Sequence, residues 1–415
     1  FGNRCIYRGF QKRQQQRQKH QEMIRTLILN TLTGIKAVLY FTALMPLLSS
    51  CQSGSRTGLS GSSSSVRHYP LPSRSFSVMD TGTAYQIGGY GSDLVYCDKD
   101  HTFWLLTDRG PNVDNQSGDG KIFPEPDFRP RIGIFSKDGD RFVLKHEIIL
   151  KDQDNRPFTG LPIKDSPGQT GETAYDLYGK KIQSSASHGI DPEGLALLPD
   201  STFWVSDEYG PFLMHFDRSG RCIDRLSPFD GSMPQHYQSR KPNRGLEGLC
   251  ANPDGTCLYG IMQSPLMGEK EHIVPLFRYD LTDKDWTEFR YPLDTDSDGA
   301  NALCWLSDST LLVLERDGKF PDEHTPANKK VYKVCLSDRS PILHKTLVLD
   351  IVKAAPDYGH DKAEGIALIG DSILCVANDD DFGITSPTQP DNTIIEKNAP
   401  SGNRDCNELW FFRIK

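Results

Sequence analysis

The chain is 415 residues long with a formal net charge of −8, an acidic balance that argues against nucleic acid as a partner. Hydrophobic residues make up 37% and aromatic residues 10%, enough for a packed core in one large domain. The 36 Gly and 27 Pro suit a turn-rich, all-β chain.

Residues 1–22 begin with Phe1 and run almost wholly to Gln, Lys, Arg and His between Gln11 and Gln21. They hold no core-forming pattern and read as sequence upstream of a start at Met23. A secretory signal follows over 23–50. Arg25 and Lys36 supply positive charge, and Ala37–Leu48 is apolar apart from Thr42 and Pro46. That run is shorter than the ~20 residues a spanning helix needs. Leu48-Ser49-Ser50-Cys51 resembles the lipobox of bacterial lipoproteins, which implies acylation of Cys51 and export to the cell envelope. Gln52 after the cysteine suits sorting to the outer membrane under the same resemblance. Two or more acyl chains anchor stably. The Gly/Ser-rich stretch 51–65 then serves as a tether to a globular domain over 66–415.

Residues 66–90 read as strands with turns, and a repeated unit follows. Its clearest copy is Asp191-Pro192-Glu193-Gly194-Leu195-Ala196, then Pro199-Asp200-Ser201, then Phe203–Val205 ending in Ser206-Asp207-Glu208. Two short apolar runs about turn chemistry predict a buried β-hairpin. Its open end should gather Asp191, Glu193, Asp207 and Glu208. The unit recurs around Glu247, Asn301 and Glu364, spaced 54, 54 and 63 residues apart, with a looser first copy from Gly91 to Asn112. Outer hairpins follow several copies. Short strands at this period predict an all-β fold, a β-propeller of five or six four-stranded blades. The N-terminal strands either close the ring or hide a sixth blade.

Residues 151–189 break the period. They are rich in Asp, Pro, Gly and Ser and too long for an ordinary connection, so they read as a loop-rich insertion on the acidic face, in the manner of a lid. Cys97, Cys250, Cys304, Cys335 and Cys375 fall in apolar strands, which favours packing. Cys250 and Cys257 flank one turn, so pairing between them stays open. No spacing suggests zinc.

In a propeller the inner strands line the central channel, and their ends form the site. Glu193 and Glu247 are the expected catalytic acids, with His188 and His360 just upstream of two of the repeated acids. Asp108, Asp207, Glu208, Asn301, Glu315, Glu364 and Asp379 are the expected metal ligands, an oxygen-rich set suited to Ca²⁺. Arg109, Arg244 and Arg316 are interleaved and suit an anionic substrate. The same acids also suit a bracing role between loops, and both readings stand at this point.

Asp108-Arg109-Gly110-Pro111-Asn112, Asp191–Ala196, Ser206–Pro211, Asn243-Arg244-Gly245-Leu246-Glu247-Gly248-Leu249 and Lys362–Ala367 occur in this order. Together they resemble the bacterial phytase-like family, described as having esterase-like activity of phytase, over roughly residues 76–414. The resemblance implies a secreted propeller that hydrolyses a phosphoester or carboxylester. The chain has no Arg-His-Gly-x-Arg-x-Pro signature and no Gly-x-Ser-x-Gly elbow. The leading expectation is therefore a monomeric, lipid-anchored, Ca²⁺-dependent hydrolase of a small anionic ester, touching the membrane only through its anchor. A calcium-dependent lactonase, whose six-bladed relatives use Glu, Asn and Asp on inner strands, is the alternative enzyme. A non-catalytic propeller that binds a ligand or partner is the other.

Overall fold

The computed structural model describes residues 66–414 apart from 79–82, 117–118, 184–187, 323, 325 and 387–393. The expected leader, the tether and Cys51 lie outside the described residues.

Five four-stranded antiparallel sheets follow one another around a ring. The first blade runs Asp93–Cys97, Thr102–Leu106, Arg131–Asp138 and Arg141–Ile149 from the inside out. The second is Pro192–Leu197, Phe203–Asp207, Phe212–Phe216 and Cys222–Leu226. The third is Leu246–Ala251, Cys257–Met262, Ile273–Asp280 and Trp286–Pro292. The fourth is Gly299–Ser307, Thr310–Arg316, Lys329–Cys335 and Lys345–Asp350. The fifth takes three strands from the end of the chain, Ala363–Ile369, Ile373–Asn378 and Glu408–Arg413, and its outermost from the beginning, Arg67–Pro70. Arg67 pairs with Phe411 and Pro70 with Glu408. The N-terminal strand thus closes the ring, and among the described residues the blade number is five. Each inner strand packs against the next, and the fifth against the first.

The apolar runs read as buried strands because each blade is covered on both faces. Alternate side chains enter different interfaces. Leu195 and Val205 join Trp104 and Leu106 between the first and second blades. Ala196 and Trp204 join Leu249 and Leu258 between the second and third. Analogous clusters fill the other three interfaces. All eight described cysteines are free, so Cys250 and Cys257 are not paired. Most are buried packing residues, but Cys335 is exposed and Cys97 half-buried, which corrects the expectation for those two.

The insertion is mostly irregular. Its Ala174–Tyr175 adds to a small sheet with Lys121–Ile122 and Val113–Asp114. It abuts the channel rim tightly. A Cβ on Gly160 would sit 1.5 Å from the Arg109 carbonyl oxygen.

Candidate functional site

The site begins with a repeated irregularity. On four inner strands the ladder slips by one residue at the same place, between Pro192 and Gly194, Leu246 and Leu249, Ala300 and Ala302, and Ala363 and Gly365. A bulge of this kind re-aims a side chain. The extra residues include Glu193, Glu247, Asn301 and Glu364, and all four line one central cavity. The glycine after each glutamate has its own reason. A Cβ on Gly194 would lie 2.3 Å from the Glu247 carbonyl oxygen, and one on Gly248 would lie 2.6 Å from the Ala302 carbonyl carbon. Inner strands of adjacent blades touch there, so Glu-Gly couples a residue aimed at the channel to a close approach of two backbones.

A second ring comes from the end of each hairpin's second strand, from its last residue to two residues beyond it. Asp108, Glu208, Gln263, Arg316 and Asp379 occupy these equivalent positions, and all five line the cavity. The residue before each, Thr107, Asp207, Met262, Glu315 and Asn378, is fully buried elsewhere. The period of two along a strand decides which of two neighbours faces the channel.

The cavity is about 360 Å³ and almost entirely polar. Ten carboxylates and five cationic side chains line it. Asp191, Glu193 and Glu208 each present an oxygen within 4.8 Å of the others, and all three are buried. Asp191 Oδ1 accepts from the Arg109 backbone N–H at 3.1 Å, and the Asp191 N–H donates to Asp207 Oδ1 at 2.9 Å. Gln263 Nε2 donates to Glu208 Oε1 at 3.1 Å and to Glu247 Oε1.

Burial, then the neighbouring Glu247, hold the carboxyls of Glu193 and Glu208 well above the usual range. Burial and Glu364 push Glu247 up to about 8. Burial lifts Asp108 as well, with Asp379 the next cause. Asp379 is pushed up to about 7 by burial, against the pull of Lys362. So many raised carboxyls in one place mean that the acids are short of positive charge.

The cations are already engaged. Arg109 is buried and donates to Glu172 Oε2 at 3.0 Å, Asn243 Oδ1 at 3.2 Å and the Tyr209 hydroxyl at 3.3 Å. Arg316 pairs with Glu364. Lys362 pairs with Asp379 at 3.1 Å and with Asp381 at 2.5 Å. Arg244 is exposed and donates to Gln263 Oε1 at 2.7 Å.

Four expected site residues do not reach this cavity. His188 lines a separate cavity of about 620 Å³ on the flank of the second blade, with its Nδ1 3.4 Å from Asp152. His360 is buried between Asp405, at 2.7 Å, and Glu408, at 3.3 Å. Burial pulls its pKa down, but the two carboxylates more than reverse this, raising it to about 9. Asp207 spends Oδ1 on the N–H groups of Asp191 and Tyr209. Glu315 accepts from the Tyr291 hydroxyl at 2.5 Å, Ser297 Oγ at 2.8 Å and Lys345. These two acids are braces, as their side of the strand requires. The cavity also contains Asp191, expected at the hairpin's open end but given no role there, and Gln263, Lys362 and Asp381, which were not expected at all. Gln263 was legible from its place in the hairpin. Lys362 and Asp381 carried no comparable signal.

The fold and site define a five-bladed β-propeller whose central channel ends in a carboxylate-rich cavity. The chain belongs to the phytase-like family, described as having esterase-like activity of phytase, whose family model matches residues 86–382. An uncharacterized secreted protein of Arthroderma benhamiae is 28% identical over 230 residues, covering 43% of this chain and 45% of that protein. The match therefore spans about half the length of that curated relative. Among solved structures, virginiamycin B lyase from Staphylococcus aureus is 14% identical with a TM-score of 0.34, covering 83% of this chain and 98% of that one. The Dos1 propeller is 10% identical with a TM-score of 0.31, covering 79% and 75%. Neither likeness extends to chemistry. Among the described residues, no helix is long and apolar enough to cross a membrane.

Proposed function

We propose that the protein is a metal-dependent hydrolase of a small anionic ester, a phosphoester foremost. The observation that carries this reading is the convergence of Asp191, Glu193 and Glu208 within 4.8 Å, in a cavity that Arg109, Arg244 and Arg316 also line. An all-oxygen, carboxylate-rich donor set fits a hard cation such as Ca²⁺. The charge balance gives a second reason. With ten carboxylates against five cations, the cavity repels an anionic ester until a cation enters. A bound divalent cation supplies polarisation of the ester oxygen and a lowered pKa for water.

The chain's own groups have distinct tasks in this reading. Arg109, held on four sides, fixes Asp191 and the rim. Arg244, exposed at the mouth, is free to swing from Gln263 to a substrate phosphate or carboxylate. Glu247, in contact with Gln263, adds a buried carboxylate to the cavity beside the Asp191, Glu193 and Glu208 cluster. The family description supports ester hydrolysis as the reaction.

We further propose export and lipid anchoring through Cys51, in keeping with the secreted relative and the leader pattern. The deciding experiment is turnover of a phosphoester and lactone panel by the full chain after chelation, with and without added Ca²⁺. Hydrolysis of phosphoesters only with Ca²⁺ is expected. Full activity after chelation overturns the metal requirement, and lactone turnover alone makes the protein a lactonase.

A further inference from the structure

Four inner-strand bulges face the cavity, and three present a carboxylate. The fourth presents Asn301, a neutral amide that is 1% exposed. Its Oδ1 has no hydrogen-bond partner among the described residues. A buried, unpaired acceptor is costly, so its retention at the channel points to a ligand outside the chain. A donor hydroxyl or a cation meets the need, and the surroundings choose between them. Glu247 gives Oε1 to Gln263, and Glu364 gives Oε1 to Arg316. The Oε2 of each accepts no hydrogen bond among the described residues, and the Arg316 guanidinium rests against the Glu364 carboxylate. Glu247 and Glu364 also raise the local negative charge, which favours a cation over a neutral hydroxyl.

We propose that this part of the cavity holds a second divalent cation, of the hard, oxygen-ligated class of Ca²⁺, coordinated by Asn301 Oδ1 and the Oε2 atoms of Glu247 and Glu364. It is distinct from the cation at Asp191, Glu193 and Glu208. Gln263, which donates to both Glu208 and Glu247, stands at the seam between the two positions. The neutral amide makes sense in this role. Ca²⁺ accepts amide carbonyl oxygens beside carboxylates, and a fourth carboxylate here would add repulsion to an already acidic cavity. The inference rests on the cavity being a cation site, but not on hydrolysis.

The test is calorimetric titration of the chelated, dialysed full chain with CaCl₂. Two Ca²⁺ per chain are expected for the wild type, and one for Asn301→Leu, which keeps the volume and removes the oxygen. One ion in the wild type, or two in N301L, overturns the proposal. Should N301L fail to fold, wild-type crystals soaked in TbCl₃ decide. An anomalous peak within about 2.6 Å of Asn301 Oδ1 is expected, and no peak there overturns it. Turnover separates this inference from the proposed function. Ca²⁺-dependent hydrolysis with one bound ion keeps the hydrolase and removes the second cation. Two bound ions without hydrolysis do the reverse.

Discussion

Replacing Glu247 by Gln should change stability in opposite directions with and without divalent cations. Without them, the Glu247 carboxyl is pushed up to about 8 in the folded protein, from an ordinary value of 4.5. A folded acid with a raised pKa loses stability as pH rises from its unfolded value towards its folded one. At pH 4.5 the acid is protonated in the folded state and half-protonated in the unfolded one, so E247Q should come within about 0.5 kcal/mol of the wild type. By pH 8, the wild type bears a penalty on the order of 2–4 kcal/mol that the amide avoids. For a domain of this size that is about 3–6 °C in Tm. The glutamine keeps an oxygen for Gln263, so the comparison isolates the charge. With saturating Ca²⁺ the order should reverse, because the wild type gains ligand-linked stability that the variant loses. Thermal unfolding across pH 4.5–8, in EDTA and in Ca²⁺, measures both. A Tm difference that does not change with pH in EDTA, or an E247Q that is less stable there, would refute the electrostatic reading of the cavity.

Three other outcomes are expected. Gly194→Ala places a Cβ 2.3 Å from the Glu247 carbonyl oxygen and should cost about 1–3 kcal/mol in urea unfolding. Gly359→Ala, whose nearest neighbour would be 3.9 Å away, should stay within about 0.5 kcal/mol; equal effects would remove the close-approach argument. His360→Gln should be less stable than the wild type below pH 6.5, with the gap closing as pH rises through about 9, because a raised histidine pKa stabilises only the protonated range. A constant gap from pH 6 to 9 would show that packing, not charge, makes the difference. Growth with radiolabelled palmitate in an exporting bacterial host should label the wild type and not Cys51→Ser, and equal labelling would reject the anchor.

Much of the fold was legible because the blades repeat. Leu195–Leu198 and Phe203–Val205 read as one buried hairpin, and the recurring Glu, Asn and Glu gave the period. Of the four acids expected at that hairpin's open end, Asp191, Glu193 and Glu208 meet, and Asp207 turns away. The error at Asp207 and Glu315 was one of strand parity. Their neighbours Glu208 and Arg316 have the channel-facing side, and one residue along a strand exchanges channel for core. His188 and His360 were placed by their distance in sequence from Glu193 and Glu364. Loop geometry carries both away, and nothing in sequence spacing encodes that path. Lys362 and Asp381 reach the cavity from connections whose course depends on tertiary packing.

The fifth blade joins residues from the two ends of the domain, so that His68 meets Glu408 across 340 positions of sequence. A ribosome or a translocation pore delivers such a chain from one end, and the opening strand must wait for the last. The first four blades have their own strands as soon as they emerge, but the ring stays unlocked until the final fifty or so residues arrive. During that interval the inner faces of the first and fifth blades lack their mutual cover. The sequence separation of these contacts also predicts slow closure. A chaperone that shields apolar surface would therefore matter most late in synthesis or transport, and a truncation that removes the C-terminal strands of the fifth blade should leave the ring open.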